Sequence, residues 1–198
     1  HLGARIAMVR RGGVIPHVER VIEAAADGAN AIVAPSTCPA CGAAVVEDGD
    51  FLLCGDPSAC IAARVGRLLH FVEACDIQGL GDVLVEEAVQ RGLFKSPADL
   101  FRVTSAQLTT LEQCGEKNAN KIVAEIAKAK SLPLDALLRS LGIANLGKTA
   151  ARALAERYAS LATIRALTAA EIAQIKEFDD VIAQSVVDGL KENAALLE

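Results

Sequence analysis

Apolar residues recur at helical spacing over most of the chain that follows residue 60. In the segment from Ile61 to Cys75 they fall on one face of an expected α-helix. The beginning of the chain has a different pattern, because residues 4–11 and 14–18 are extended, β-type runs separated by Gly12-Gly13. The pattern therefore predicts a mainly α chain with a small β part.

The β part is too small to form a core alone, since two or three strands cannot bury one. Residues 18–22 could continue as strand, whereas residues 23–26 lean towards helix, and the periodicity leaves both open. We expect residues 1–35 to be either the tail of a β-domain whose front half is missing, or an annex packed on the next part of the chain. Arg10 and Arg11 point to opposite faces of a strand, so at most one of them faces a given ligand; ordinary solvated charge is the alternative.

A unit of helix, hairpin and helix repeats four times in the second part of the chain. The apolar spacing is similar in residues 77–89, 111–123, 141–154 and 175–186. The residues at the four hairpin tips are Gly79-Leu80-Gly81, Gln113-Cys114-Gly115, Asn145-Leu146-Gly147 and Glu177-Phe178-Asp179. The fourth copy has thus lost both glycines. Four similar units at regular intervals indicate a tandem of helical hairpins.

Such a hairpin has the chemistry of a phosphate site. Glycine lets the backbone approach a ligand closely, and the following helix directs its positive N-terminal end at the same point. Exposed main-chain N–H groups can then hold a phosphate oxygen without net positive charge. The alternative is a plain turn between two helices. The residues predicted to contact DNA are Gly79, Leu80, Gly81, Gly115, Lys117, Asn145, Gly147, Lys148 and Thr149, with Arg10 and Arg11 from the β part.

The charge distribution changes this picture locally. The formal net charge of −5 argues against a generic basic nucleic-acid binder. Residues 139–157 nevertheless carry four cations against one acid, and residues 115–130 carry four against two. Residues 171–198 carry two lysines against seven acids. We therefore expect the fourth hairpin, with Asp179-Asp180 at its tip, to repel phosphate and to serve as a packing partner.

Four cysteines between residues 38 and 60 have the spacing of a metal-binding module. They occur in Cys38-Pro-Ala-Cys41-Gly and Cys54-Gly-Asp-Pro-Ser-Ala-Cys60. The glycine after Cys-x-x-Cys allows a tight turn that directs both thiolates inward, and a second pair can complete a tetrahedral four-thiolate zinc site. Residues 44–53 predict a β-hairpin that turns at Asp-Gly. That hairpin would bring the second pair up to the first.

Two disulfides or four buried thiols are the alternatives for these cysteines. A disulfide framework needs an oxidising compartment, and we find no signal segment at the start of the chain. Pro, Gly, Ser and Asp around the cysteines also suit a metal loop better than a core. Four thiolates leave no open position for water, so the expected zinc is structural. Cys75 and Cys114 lie in apolar helical contexts and are expected to be core thiols.

Several short segments follow one another in a recognisable order. They are residues 9–16 (VRRGGVIP), 70–72 (HFV), 76–81 (DIQGLG), 97–101 (PADLF) and 141–147 (LGIANLG). With the cysteine module between the first two, this order resembles the C-terminal half of bacterial NAD-dependent DNA ligase over essentially all 198 residues. The resemblance implies the end of an OB-fold domain at 1–35, a four-cysteine zinc finger (zinc ribbon) at 36–62, and a helix-hairpin-helix DNA-binding domain of four repeats at 63–198.

The resemblance also implies a function. It predicts that the chain clamps nicked double-stranded DNA for phosphodiester bond formation in replication and repair, in the cytoplasm of a bacterium and associated with its nucleoid. The family's reaction uses a Lys-x-Asp-Gly lysine that is adenylated by NAD in an upstream domain, and that motif does not occur in these 198 residues. We therefore expect no catalytic residue and no NAD binding in this chain, and a partnership with the upstream adenylation domain.

Two other functions remain open at this point. The first alternative is a zinc and helix-hairpin-helix scaffold that binds nicked or branched DNA without catalysis. The second is an all-helical interaction module without nucleic acid, which would require the glycine hairpins to be coincidental. No run of the chain approaches the roughly 20 apolar residues that a membrane span requires, so we expect no membrane partner.

Overall fold

The structure is a computed structural model that describes residues 2–26, 33–49 and 51–197. The chain divides into two compact units, residues 1–55 and 56–198. Strands occupy the first unit and helices the second, so the predicted fold class, mainly α with a small β part, is confirmed. The predicted domain bounds at 35 and 62 stay predictions. Residues 27–32 of the predicted OB segment and Asp50 of the predicted hairpin lie outside the described residues.

The first unit contains two antiparallel hairpins. Strand β1 (Arg5–Arg11) pairs with β2 (Ile15–Glu23), and Arg11 stands opposite Ile15 at the turn. Gly12 and Gly13 make this turn with φ angles of 61° and 81°, which glycine adopts without strain. Because β2 continues to Glu23 and residues 24–26 are not helical, the helical tendency of residues 23–26 is not realised. That β1 and β2 end an OB fold stays what the resemblance implies.

The second hairpin confirms the β-structure predicted between the cysteine pairs. Strand β3 (Val45–Asp48) pairs with β4 (Phe51–Cys54), and Val45 stands opposite Cys54. This register places Cys54 at the open end of the hairpin, next to the segment that carries the first cysteine pair. The chain there is joined further by a hydrogen bond from the main-chain N–H of Val45 to the carbonyl of Ser36.

The second unit is built from helices joined by short turns. In chain order they are α1 (Ile61–Ala74), α2 (Asp82–Gln90), α3 (Ser105–Leu108), α4 (Glu116–Lys128), α5 (Leu134–Ser140), α6 (Lys148–Tyr158), α7 (Leu161–Arg165), α8 (Ala169–Ile172) and α9 (Asp180–Glu192). Short 3₁₀ helices occupy Pro97–Arg102, Ala129–Ser131 and Ala194–Leu196. The α7 helix and the first 3₁₀ helix were not predicted. Within the described residues, no helix combines the length and the apolar character that crossing a membrane requires.

These helices form two blocks, each with its own hydrophobic core. The first core uses buried residues between Leu68 and Ala129, and the second uses buried residues between Leu138 and Leu190. Each block contains two of the four hairpins. The apolar spacing explains why, because every hairpin buries two side chains and exposes the two residues between them. The buried pairs are Ile77 and Leu80, Leu111 and Cys114, Ile143 and Leu146, and Ile175 and Phe178.

The second hairpin of each block begins in the same way. Both α3 and α8 are single helical turns that start with a capping box, in which the first and fourth residues exchange hydrogen bonds. At α8 the side chain of Glu171 accepts from the N–H of Thr168 at 2.8 Å, and the pKa of the Glu171 carboxyl is lowered by these hydrogen bonds. The chain therefore repeats as two double-hairpin blocks.

Candidate metal centre and nucleic-acid interface

The four cysteines of the predicted zinc module come together in the structure. The sulfur atoms of Cys38, Cys41, Cys54 and Cys60 all lie within 4.8 Å of one another. The turn under the first pair is closed by two hydrogen bonds, from Gly42 N–H to the Cys38 carbonyl at 2.8 Å and from Cys38 N–H to the Ala43 carbonyl at 2.7 Å. Gly42 has a φ angle of 76°, so the predicted glycine turn is confirmed.

The geometry of the sulfur atoms fits zinc better than it fits disulfides. The Cys41 and Cys54 sulfur atoms are 3.4 Å apart, whereas a disulfide bond measures about 2.05 Å. A tetrahedral zinc with Zn–S distances of about 2.3 Å would separate its sulfur atoms by about 3.8 Å. Main-chain hydrogen bonds from Ala40 and Cys41 lower the pKa of the Cys38 thiol to about 7, which favours the thiolate that a metal needs. The cluster is therefore compatible with a four-thiolate zinc site.

Two residues that the sequence did not single out hold the second cysteine pair. Asp56 accepts hydrogen bonds from the Ser58 hydroxyl at 2.7 Å and from the Ala59 N–H at 3.1 Å, which orders the loop that leads to Cys60. Gly55 lies so close to the Ala44 carbonyl that an added Cβ would be 2.6 Å from its oxygen. Only the close approach of two main chains explains this glycine, and sequence spacing carries no signal for it.

The first three hairpins share one backbone feature at their tips. Gly79, Gln113 and Asn145 have φ angles of 90°, 62° and 63°, although only the first of them is glycine. The predicted equivalence of these three positions is thus confirmed by their left-handed conformation. Glu177, at the corresponding position of the fourth hairpin, is not among the described residues with positive φ. The fourth copy therefore differs in its backbone as well as in its sequence.

The helix that follows each of these three hairpins begins without a side-chain cap. The residue before α2, α4 and α6 is Gly81, Gly115 and Gly147, respectively, and none of the three starts receives a hydrogen bond from a capping side chain among the described residues. At α6 the first intrahelical bond runs from Ala151 N–H to the Gly147 carbonyl. The N–H groups of the first helical turn consequently point towards solvent, where they can bind an anion.

The fourth hairpin satisfies one of the same groups internally. Asp179 precedes α9, and its carboxylate accepts a hydrogen bond from the N–H of Ile182 at 2.7 Å. This carboxylate occupies the place that an anion would take at the other helix starts. The prediction that the fourth hairpin packs rather than binds thus has a geometric reason, since its anion site is filled by its own side chain.

The glycines at these tips have two different roles. Gly79 needs its positive φ, and an added Cβ would lie 3.3 Å from Cγ1 of Ile122 in α4. Gly147 has a φ of −74°, which any residue can adopt, and among the described residues nothing lies within 4 Å of an added Cβ. Gly81 and Gly115 are equally open. Gly147 is therefore not required by the local backbone, and the open space in front of it is available to a ligand.

The charged residues near the tips differ among the three hairpins that are candidate phosphate sites. Residue N1 of the helix is Asp82 after the first hairpin, Glu116 after the second and Lys148 after the third. Lys117 and Lys121 lie beside the start of α4 and line an open pocket with Gly115. By contrast, Arg152 is paired with Glu156 at 2.8 Å, which reduces the positive charge counted from the sequence. The third hairpin has the most favourable helix start for an anion.

The remaining predicted contact residues differ in exposure. Thr149 is exposed in the first turn of α6, and Arg10 and Arg11 are exposed on β1. The Leu80 side chain is only 2% exposed and belongs to the core of the first block. A DNA contact by Leu80 is thereby restricted to its main chain. Cys75 and Cys114 are buried, as predicted, and burial raises the pKa of both thiols.

Comparisons with known proteins agree with the two-block architecture. A family described as a SAM-like helix-hairpin-helix tandem matches residues 71–128, and a helix-hairpin-helix motif family matches residues 136–196. Each match falls on one block. The chain therefore contains tandem helix-hairpin-helix motifs and a four-cysteine cluster.

Curated relatives extend the similarity to nearly the whole chain. This chain is 36% identical over 196 residues to a protein named DNA ligase from Halothermothrix orenii, and the match covers 96% of this chain and 29% of the relative. Proteins of the same name from Alkalilimnicola ehrlichii and Chlorobium luteolum are 40% and 37% identical, over 90% and 100% of this chain and 28% and 30% of their own lengths. The chain thus spans about three-tenths of these relatives. The resemblance to the C-terminal part of DNA ligase is confirmed.

Proposed function

We propose that this chain is the DNA-binding part of an NAD-dependent DNA ligase and that it holds nicked duplex DNA for the joining reaction. The observation that carries the proposal is the third hairpin, where the N–H groups at the start of α6 lie open beside Gly147 and Lys148. Phosphate bound there is recognised without regard to base sequence. A protein that acts on nicks throughout a genome needs contacts of this kind.

The proposed contribution to catalysis is positioning. The reacting ends of a nick must be held in line, and fixing them makes the reaction effectively intramolecular. Adenylation by NAD and the chemistry of sealing belong, in this proposal, to an upstream adenylation domain of the same protein. The chain itself supplies no catalytic residue and does not bind NAD. We place the whole enzyme in replication and repair, in the bacterial cytoplasm at the nucleoid.

We further propose that the four cysteines bind structural zinc, which when bound ties the two cysteine segments together. Replacing Cys41 by Ser should lower the zinc content of the purified chain from about one equivalent, measured by elemental analysis. The matched control is Cys114→Ser, because Cys114 is buried in the helical core and is not a member of the cluster. Equal zinc content in the parent chain and in the Cys41 variant would contradict the four-cysteine site.

The proposed DNA function is tested by binding nicked, intact and single-stranded DNA of one sequence over a range of salt concentrations. We expect tighter binding to the duplexes than to the single strand, with a salt dependence that corresponds to a few phosphates. Preference for the single strand, or no binding to any of them at low salt, would contradict the proposal. The chain alone should leave the nick unsealed in the same samples, which gel electrophoresis of the labelled strand measures.

A further inference from the structure

A cleft of about 450 Å³ lies in the helical unit beside the third hairpin. Its walls are formed by α1, the end of α5, residues 141–143 and 146 of the hairpin, the end of α9 and the residue that follows it. Arg67 and His70 face it from α1, Arg139 from α5, and Glu192 and Asn193 from the last part of the unit. The cleft thus gathers two guanidinium groups and one carboxylate from distant parts of the sequence.

Arg139 is the unusual member of this group. Its Nε atom is buried and has no hydrogen-bond partner among the described residues. No salt bridge joins its guanidinium group to a described carboxylate either. A buried N–H donor without an acceptor is costly, so natural structures usually provide one, often as a bound ion or water. Arg139, whose side chain lines the cleft, therefore carries a buried donor that no described residue satisfies.

The surrounding residues are held in position by hydrogen bonds. Nε2 of His70 donates to the Arg139 carbonyl at 2.8 Å, which fixes the end of α5 against α1. Arg67 donates to the side-chain oxygen of Asn193, a residue that is only 5% exposed. The side-chain N–H of Asn193 in turn donates to the Gly189 carbonyl at 2.8 Å. The Arg67 guanidinium group and the main chain at Arg139 are therefore held in place, which reduces the order that has to be created when a ligand binds.

We propose that this cleft is a second phosphate-binding site, in which Arg139 and Arg67 hold one phosphate group. A guanidinium group presents paired N–H donors that match two oxygens of a phosphate. Two cations face the single carboxylate of Glu192, so the balance of charge favours an anion. The hairpin residue Leu146 lines the cleft and directly precedes Gly147, so the cleft adjoins the first proposed phosphate site.

The phosphate can come from two sources, the backbone of duplex DNA or free inorganic phosphate. The DNA source rests on the proposed function, whereas binding of free phosphate does not. If DNA is the source, the third hairpin and the cleft contact the same duplex at two points. This would widen the footprint of the third hairpin beyond the N-terminus of α6.

NMR spectra of the arginine side-chain Nε–H groups test the proposal directly. The Arg139 signal is assigned with Arg139→Lys, and the chain is titrated separately with inorganic phosphate and with nicked duplex DNA. We expect a saturable shift of the Arg139 signal with at least one of the two ligands, while Arg102, whose side chain is 78% exposed, moves little. An unmoved Arg139 signal in both titrations, or equal movement of Arg102, would overturn the proposal.

The same titrations separate this proposal from the proposed function. If DNA shifts the Gly147 amide but leaves Arg139 unchanged, while phosphate also has no effect, DNA binding stands and the cleft is not a phosphate site. If phosphate shifts Arg139 while DNA does not bind, the cleft stands and the proposed DNA function fails. A shift of Arg139 by DNA alone identifies the nucleic-acid backbone as the source.

Substitutions give an independent measurement when DNA is the source. Arg139→Gln should weaken duplex binding roughly tenfold, as expected for the loss of one charge-assisted pair, and should lower the salt slope by about 0.9. Arg139→Lys should recover part of the loss, because it keeps the charge without the paired donors. If Arg139→Gln unfolds, Arg67→Gln provides a second variant, because Arg67 is exposed. Arg102→Gln is the control. Unchanged affinity and salt slope in both cleft variants would contradict a DNA contact.

Discussion

The third and fourth hairpins have the same helical architecture but differ at the start of the second helix. In each, a short turn leads into a helix whose first intrahelical bond closes on the residue before it. The third hairpin places Gly147 at that point and leaves the N–H groups open, whereas the fourth places Asp179 there and satisfies one of them itself. The residue at the helix start is therefore one of the differences that separate an open helix start from a capped one.

The largest expected effect comes from giving the third hairpin the residue of the fourth. Gly147→Asp should weaken binding to nicked duplex by about 2–3 kcal/mol, or roughly 30- to 150-fold in Kd, because a carboxylate would occupy the phosphate position. Folding should be unharmed or improved by a few tenths of a kcal/mol, since Asp caps a helix better than Gly. Fluorescence anisotropy measures the affinity, and thermal unfolding measures the stability.

The opposite effects on affinity and stability are what make this variant informative. Full DNA affinity in a well-folded Gly147→Asp protein would show that the third hairpin is not a phosphate site. Gly115→Asp is the matched change at the second hairpin, which already carries Glu116 at the start of its helix. We expect it to weaken binding less than Gly147→Asp does.

A second variant tests the two roles assigned to glycine. Gly79→Ala should lower the free energy of unfolding by about 1–2 kcal/mol, because alanine is strained at a φ of 90° and its Cβ would press on Ile122. Gly81→Ala, two residues later, should cost only a few tenths of a kcal/mol to about 1 kcal/mol, since its φ is −92°. Denaturant unfolding measures the stability of both variants. Equal destabilisation by Gly79→Ala and Gly81→Ala would contradict the two different roles assigned to these glycines.

The reverse exchange should create a weaker site than the natural one. Replacing Asp179 by Gly and Asp180 by Lys gives the fourth hairpin the helix start of the third. We expect about threefold to tenfold tighter duplex binding and a salt slope that is larger by about 0.9. The gain is smaller than the loss in Gly147→Asp because Glu177 does not supply the left-handed tip residue. An unchanged slope would mean that the fourth hairpin cannot reach DNA.

The smallest expected effect belongs to the lysine of the third hairpin. Lys148→Ala should weaken duplex binding about threefold and reduce the salt slope by up to about 0.9, because it removes charge and leaves the main-chain donors in place. Lys128→Ala is the control, since its ammonium group is paired with Glu125 at 2.6 Å. If the Lys148 variant lost as much affinity as Gly147→Asp, charge rather than the helix start would dominate the site.

The repeat and the cysteine cluster were predictable because their signals are local. Apolar spacing predicts all four hairpins, and it places Gln113 and Asn145 at the position of the first glycine, which their positive φ angles confirm. The Cys-x-x-Cys-Gly turn likewise depends on five neighbouring residues. The absence of glycine in the fourth copy correctly indicated a unit unlike the others.

Features that depend on distant residues were not predictable in the same way. The different roles of Gly79 and Gly147 are set by the atoms that lie in front of each, and Ile122 is far from Gly79 in sequence. The same holds for Gly55, which is constrained by Ala44, and for the cleft that joins Arg67 to Arg139 and Asn193. Sequence spacing shows residue type and periodicity, but it does not show which main chains meet.

The contact of Gly189 with the third hairpin ties the fourth unit to the third. An added Cβ at Gly189 in α9 would lie 2.7 Å from Cγ1 of Ile143, so the fourth unit is pressed against the third with no space for a larger residue. Asp179 and Asp180, by contrast, are exposed at the tip of the fourth unit. A larger residue at position 189 is thus expected to disturb the third hairpin through Ile143, whereas changes at the exposed tip leave that contact intact.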